Sequence, residues 1–178
     1  MNSILALLYS IFLFLILLIL VIYIVIQIRT TQLVEGEIKR LQNHVQQPQT
    51  NYTCEDLYSL GQLYLRKNLF NKAVLVFHQA LSIWDINDKI GLGNLVNIIG
   101  FTYNKLQKYA FAIYYYKIAL TILPDYVLAL NNLAFTYQSL NLFKEASSCY
   151  KNCLKFQPKN RFFLSKIKII NQKILLKS

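Results

Sequence analysis

The sequence predicts an all-α protein: an N-terminal transmembrane helix, then an α-solenoid of repeated helical pairs, and a C-terminal capping helix. Two observations predict this fold. Residues 4–28 contain no charged side chain, and a run of that length is sufficient to cross a hydrocarbon core. From Val96 onward, small and aromatic residues recur with a period of 34 residues, which is typical of stacked helical repeats.

The apolar run predicts a single transmembrane anchor, residues 1–28. A secretory signal peptide is the main alternative, but its apolar region would be about 7 to 15 residues long and would precede a cleavage site of small residues. Residues 27–30 offer no such site. Because Arg29, Lys39 and Arg40 follow the span, the positive-inside rule places the remainder of the chain on the cytoplasmic or equivalent side.

Residues 29–52 are predicted to connect the anchor to the repeats. Apolar residues spaced along one face would continue a helix; they are Leu33, Ile38, Leu41 and Val45. Residues 46–49 then break the helix and form a short spacer. Thr53, with Asp56 three residues later, is a capping signal for the first helix of the repeats.

Three segments of the chain carry the same residue types in the same order. The middle segment has Ile99, Gly100, Tyr103, Ala112, Tyr116, Ala119 and Pro124. The last has Leu133, Ala134, Tyr137, Ala146, Tyr150, Cys153 and Pro158, each displaced by 34. The first has Leu60, Gly61, Tyr64, Ala73, Phe77 and Ala80, at an offset of 39.

This pattern resembles the tetratricopeptide repeat, a helix-turn-helix element. The predicted repeat region is 53–160, with repeats at about 54–87, 93–126 and 127–160. The five extra residues 88–92 are expected to lengthen the first helix of the middle repeat by about a turn and a half. A generic helical bundle with a chance similarity is the alternative.

The repeated residue types have physical roles. Small residues at Gly61, Gly100 and Ala134 should let the two helices of each repeat approach closely, with a tyrosine filling the space beside each. Ala80 and Ala119 should admit the next repeat. Proline lacks the amide donor and clashes one turn back, so it should end the helices; the prolines concerned are Pro124 and Pro158.

Residues 161–178 are predicted to form a basic capping helix that covers the last repeat. Its apolar positions have helical spacing and are Phe162, Phe163, Ile167, Ile170 and Ile174. Residues 144–178 hold nine basic residues and one acid, which is +8 of the net charge of +11. A solvated helix face is the simplest explanation, and attraction to an anionic membrane surface or an acidic protein is the next. No nucleic-acid module is recognisable, so no nucleic-acid partner is expected.

No set of residues predicts enzyme chemistry, and no catalytic, cofactor-binding or metal-binding residue is expected. The cysteines are Cys54, Cys149 and Cys153, an odd number without the spacing of a disulfide framework or a four-ligand zinc site. Cys153 takes the place of the small residue in the other repeats, so it should be buried. His44 and His78 have no acidic or nucleophilic partner nearby in sequence.

Function is instead predicted on the concave surface, which the first helix of each repeat would line. The predicted protein-binding positions are Tyr58, Gln62, Arg66, Asn97, Phe101, Asn104, Asn131, Phe135 and Gln138. Asn97 and Asn131 occupy equivalent positions, as do Phe101 and Phe135, which predicts an amide ladder beside an aromatic stripe. Alternatively, the phenylalanines pack against the adjoining helix and the asparagines are solvated.

One type of partner is not expected. Chaperone-binding tetratricopeptide domains clamp a terminal carboxylate with lysine and arginine. The corresponding positions here lack a basic residue and are Tyr58, Gln62, Leu128 and Asn132.

The whole arrangement of span, connector, three repeats and basic end resembles the small membrane-anchored family encoded in algal plastids and cyanobacteria and linked to photosystem I assembly. The resemblance implies a single-pass protein of the plastid thylakoid membrane, with its repeats on the stromal side. It also implies that the partners are photosystem I subunits or assembly intermediates. A membrane-tethered receptor or adaptor for protein targeting or translocation is the alternative, and an unsuspected hydrolase or transferase is a third.

Overall fold

The structure is a computed structural model that describes residues 2–46 and 52–175, with side chains from residue 7 onward. Within these residues every regular element is a helix, as predicted: α1 (Asn2–Gln46), α2 (Cys54–Arg66), α3 (Phe70–Ile83), α4 (Lys89–Lys105), α5 (Tyr109–Ile122), α6 (Val127–Ser139), α7 (Phe143–Phe156) and α8 (Arg161–Leu175). The chain divides into two compact parts at residues 50 and 51. Of the predicted break at residues 46–49, Gln46 is the last residue of α1, and residues 47–49 lie outside the described residues.

Helix α1 is a single uninterrupted helix of 45 residues. Its apolar side chains between Leu7 and Ile28 are exposed, and the helix is long and apolar enough to cross a membrane by length and composition. The helix does not end at Arg29 but continues to Gln46, as the apolar stripe in the connector predicted.

Helices α2 to α7 form three antiparallel pairs, and each pair is one repeat: α2 with α3, α4 with α5, and α6 with α7. The first helix of the middle repeat, α4, has 17 residues, whereas α2 and α6 have 13 each. The predicted lengthening by the insertion is therefore confirmed. Thr53 and Asp56 form the predicted capping box at the start of α2.

Small residues do allow the helices of a repeat to approach closely. A Cβ atom on Gly100 would lie 2.9 Å from ring carbons of Tyr116 and 3.3 Å from the carbonyl oxygen of Ala112. A Cβ on Gly61 would collide with the ring of Phe77, and Ala134 is completely buried. Each repeat thus packs an aromatic or small side chain into a space that has no room for a larger one.

The turn inside each repeat has a common backbone geometry. Asn68, Gln107 and Asn141 have φ angles of 57°, 59° and 59°, in the left-handed region. The amide after each one donates to the carbonyl oxygen of the repeat tyrosine, as in the 2.9 Å bond from Lys108 to Tyr103. This pairing is the Schellman motif, which satisfies the last carbonyls of the first helix and reverses the chain.

The ends of the second helices and the C-terminal cap follow the prediction. Helices α5 and α7 both end two residues before a proline. Phe163 and Ile170 on α8 are buried in the same core cluster as Tyr150 on α7, so α8 covers the apolar face of the last repeat. Cys153 is completely buried in this cluster, as its position in the repeat predicted.

Candidate protein-binding groove

A groove of about 270 Å³ lies between the first helices of the three repeats. Helix α2 contributes one lining residue. The others come from α4, from α6 and from the residue that precedes α6. The lining residues are Tyr58, Asn94, Asn97, Ile98, Phe101, Tyr126, Leu128 and Asn132. We call this set the groove.

Three polar residues of the groove join α4 to the start of α6. The Tyr126 hydroxyl donates a 2.7 Å hydrogen bond to Asn94 Oδ1, and Asn97 Nδ2 donates to the Tyr126 oxygen at 3.5 Å. Burial raises the pKa of Tyr126, and the nearby Tyr58 adds to the rise, while the hydrogen bond from Asn97 opposes it. The hydroxyl therefore stays protonated near neutral pH and serves as a donor.

A further hydrogen bond joins α4 directly to α6. Asn132 Nδ2 donates to Asn97 Oδ1 at 3.1 Å. Asn97 is only 5% exposed, so its amide is used within the protein at both of its polar atoms. Asn132 is half-buried and has polar capacity left for a ligand.

The groove has no formal charge, because its eight residues include no Asp, Glu, Lys or Arg. Its surface combines side-chain amides and phenols with the apolar side chains of Ile98, Phe101 and Leu128. Such a surface suits a neutral segment that offers backbone hydrogen bonds and an apolar side chain. None of these eight side chains is a cation that could hold a terminal carboxylate.

The groove brings together three of the nine predicted binding residues: Tyr58, Asn97 and Phe101. The other six do not line it. Asn104 donates to the Thr136 hydroxyl at 2.6 Å, and Gln138 accepts a 2.9 Å bond from the Tyr150 hydroxyl. The remaining four lie outside the groove, with Asn131 half-buried and the others exposed, namely Gln62, Arg66 and Phe135.

The predicted amide ladder has a different register. Asn97 is bonded to Asn132 and not to its equivalent Asn131, and at 5% exposure it does not point outward as expected. Equivalent residues on two neighbouring helices point in the same direction and lie about a helix diameter apart, so they do not touch. Contact is made between the facing flanks of the helices, which carry residues at other offsets.

The aromatic stripe is also only partly formed. Phe101 lines the groove, and its ring lies 5.2 Å from Lys105 Nζ. Phe135 is 54% exposed, so it is not packed against the adjoining helix as the alternative interpretation required, yet it stands outside the groove.

Five groove residues are not among the nine predicted binding positions: Asn94, Ile98, Tyr126, Leu128 and Asn132. Leu128 and Asn132 were named in the sequence only as positions that correspond to a carboxylate clamp. A signal existed for Asn94, because it precedes Asn97 by three residues and shares its face of the helix. Tyr126 has no equivalent aromatic residue in the other repeats, so the 34-residue pattern could not indicate it.

Cys149, Cys153 and His78 are packed within the repeats. Burial raises the pKa of the Cys149 and Cys153 thiols to about 11. His78 Nε2 lies 3.2 Å from the Tyr103 hydroxyl, and burial lowers the pKa of His78. No group of three or more potential metal ligands occurs in the part of the chain that the structure describes.

Comparison with known proteins agrees with this geometry. The tetratricopeptide repeat family matches residues 127–160. The crystal structure of MamA superposes with a TM-score of 0.71 at 20% identity, covering 83% of this chain and 82% of that one, which shows the fold. The chain is thus a tetratricopeptide-repeat protein, a class whose helical arrays bind other proteins and do not define an enzyme family.

Two relatives identify the family. The ycf37 protein of Cyanophora paradoxa is 34% identical over 175 residues, which cover 98% of this chain and 100% of the relative. The ycf37 protein of Guillardia theta is 36% identical over 121 residues, or 68% of each chain. The chain belongs to the ycf37 family, and these homologues are plastid-encoded.

Proposed function

We propose that this protein is a membrane-anchored scaffold that holds an assembly intermediate of photosystem I. The observation that carries the proposal is the uncharged groove shared by the first helices of all three repeats, in a chain that also has an exposed apolar helix of membrane-spanning length. The family resemblance supplies the identity of the partner.

The groove is suited to an extended segment of a partner protein. Leu128 is 51% exposed and, with Phe101 and Ile98, offers an apolar wall for one side chain of the segment. Asn132 and the Tyr58 hydroxyl lie in the same lining and can bond to a backbone amide or carbonyl. Because no charged residue lines the groove, the segment needs no terminal carboxylate.

Anchoring supports the same function. The exposed apolar side chains of α1 have no protein partner in the described residues, and burial in lipid would remove them from water. A tethered groove searches a layer at the membrane surface, which raises the effective concentration of a membrane-bound partner. We place the protein in the plastid thylakoid membrane as a single-pass protein, with its repeats on the stromal side.

The test is co-purification of partners with the tagged full-length protein from membranes solubilised in mild detergent. Photosystem I subunits or intermediates should co-purify with the native chain. Leu128→Lys should reduce their recovery at least about fivefold, equivalent to about 1 kcal/mol. The matched control is Leu75→Lys, because Leu75 is 66% exposed on α3 and does not line the groove.

Other results would contradict the proposal. Recovery of protein-import components in place of photosystem subunits would favour a targeting receptor. Equal loss in Leu75→Lys and Leu128→Lys would show that the groove is not the binding surface. Release of the full-length chain from membranes by alkali would disprove the anchor.

A further inference from the structure

The C-terminal helix α8 exposes more apolar surface to solvent than its capping role requires. Only Phe163 and Ile170 are buried against the repeats, and the half-buried Ile167 and Ile174 pack against the same cluster. The terminal element of a repeat array normally presents a polar outer face to water. Here, four large apolar residues of α8 remain well exposed: Phe162 at 49%, Leu164 at 50%, Ile169 at 46% and Leu175 at 74%.

Basic residues are interleaved with these exposed apolar residues. Helix α8 contains Arg161, Lys166, Lys168 and Lys173 and no acid. Lys166 Nζ lies 5.3 Å from the centre of the Phe162 ring, so cation and aromatic surface are adjacent. Arg161, Lys168 and Lys173 are exposed, and Lys173 Nζ lies 5.5 Å from the centre of the Phe143 ring on α7. The charges of Arg161 and Lys168 are therefore the ones most accessible to a partner.

The charge extends from α8 onto the neighbouring helix α7 and the turn between them. Lys144, Lys151, Lys155 and Lys159 are all exposed there, as is the ring of Phe156. In residues 144–175, eight basic residues stand against the single acid Glu145, a net charge of +7. In the preceding residues 52–143, seven basic residues stand against five acids, a net charge of +2. The excess is therefore concentrated at one end of the repeat array.

We propose that the outer face of α8, with the adjoining lysines of α7, binds the surface of an anionic lipid bilayer. Basic residues mixed with exposed aromatic and aliphatic side chains are the composition of helices that lie in a membrane interface. Each lysine or arginine near an anionic surface adds to the attraction. The apolar side chains add burial in the headgroup region, which attraction to an acidic protein in water would not require.

This inference rests on the proposed membrane location of the chain but not on the identity of its protein partner. Contact of α8 with lipid would be a second attachment, separate from the span. It would limit the motion of the repeats at the membrane and would depend on the fraction of anionic lipid and on salt.

The experiment uses the full-length chain reconstituted into lipid vesicles. Ile169→Cys provides a site for an environment-sensitive fluorophore, in a Cys54→Ser background because Cys149 and Cys153 are buried. Vesicles contain phosphatidylcholine alone or with about 30% phosphatidylglycerol, and a spin-labelled lipid serves as the quencher. Quenching of the fluorophore by the spin-labelled lipid should be roughly threefold greater, or more, in the anionic vesicles than in phosphatidylcholine alone. Addition of about 0.5 M salt should remove the difference.

Charge-reversal variants provide the matched control. Arg161→Glu with Lys168→Glu, at exposed positions of α8, should abolish the additional quenching. Lys72→Glu with Lys117→Glu changes the net charge equally at exposed positions on α3 and α5, and should leave the quenching unchanged. Circular dichroism of all variants would verify that the helices persist.

Three outcomes would overturn the inference. The label could remain equally accessible to water in both kinds of vesicle. The two double variants could lose quenching equally. The label could instead be protected by added polyglutamate and by neither lipid, which would indicate an acidic protein partner. If the chain is not retained in the vesicles, the proposed anchor fails, and the response of the label to anionic vesicles added from outside still decides the inference.

Discussion

The side-chain amide of Asn132 on α6 donates a 3.1 Å hydrogen bond to the side-chain oxygen of Asn97 on α4. This bond joins the first helices of two successive repeats at the floor of the groove. The same contact therefore stabilises the stacking of the repeats and fixes the orientation of an amide that lines the groove.

Replacement of Asn97 should therefore affect stability and not only binding. Asn97→Ala removes the hydrogen bonds of Asn97 with Asn132 and with Tyr126, and the loss of a hydrogen bond of this kind costs about 0.5 to 1.5 kcal/mol. Thermal unfolding in detergent, followed by circular dichroism, should show the loss. Asn131→Ala is the control and should change the free energy of unfolding by less than about 0.5 kcal/mol. Equal effects of the two substitutions would contradict this assignment.

A methyl group at Gly100 should disturb the middle repeat. Gly100→Ala would place a Cβ 2.9 Å from the Tyr116 ring and 3.3 Å from a backbone oxygen, and overpacking of this kind costs about 1 to 3 kcal/mol. The same melting experiment measures it. Gly36→Ala is the control, because no atom lies within 4 Å of its added Cβ and alanine favours a helix by about 1 kcal/mol. A neutral Gly100→Ala would show that the helices can separate freely.

Gln107→Gly should stabilise the protein by about 0.5 to 1 kcal/mol. Gln107 has a φ of 59°, a conformation that costs residues with a side chain about 1 to 2 kcal/mol. Glycine removes that cost, although its greater freedom in the unfolded chain cancels part of the gain. Asn141→Gly should gain less, since asparagine tolerates this region. A lower melting temperature for Gln107→Gly would show that the glutamine side chain has a stabilising contact.

The buried thiols predict a pH dependence of stability. Burial raises the pKa of Cys149 and Cys153 from 9.0 to about 11, so the folded state binds these protons more tightly than the unfolded state. Their contribution to stability is complete below pH 9 and is lost as the pH rises to about 11. Urea unfolding at pH 8 and at pH 10.5 should show the decrease, and the Cys149→Ala, Cys153→Ala double variant should reduce it. An equal decrease in that variant would assign the effect to other groups.

The fold could be predicted because its determinants are local and repeated. The recurrence of a small residue, a tyrosine and a buried alanine at a fixed spacing fixes which faces of the helices pack, and Gly61 and Gly100 occupy the close contacts that the pattern requires. The left-handed turn residues were not predicted. Asn68 and Asn141 carry a recognisable signal, but Gln107 carries none.

The groove could be predicted only in part, because it depends on how neighbouring repeats stack. Tyr58 and Phe101 were found because they lie on the exposed flank of a first helix. The pairing of Asn97 with Asn132 depends on the crossing of α4 and α6, which a one-dimensional period does not contain. Tyr126 is the residue that precedes α6, a position to which the helical periodicity does not apply.

Helix α8 also determines how this array ends. A fourth repeat, or the first repeat of another copy, would need the apolar surface around Tyr150 that Phe163 and Ile170 already occupy. Head-to-tail growth into a filament is blocked at this terminus by the chain itself. The basic residues of α7 and α8, with no acid on α8, would in addition repel the same terminus of a second copy, so two arrays are not expected to join end to end there.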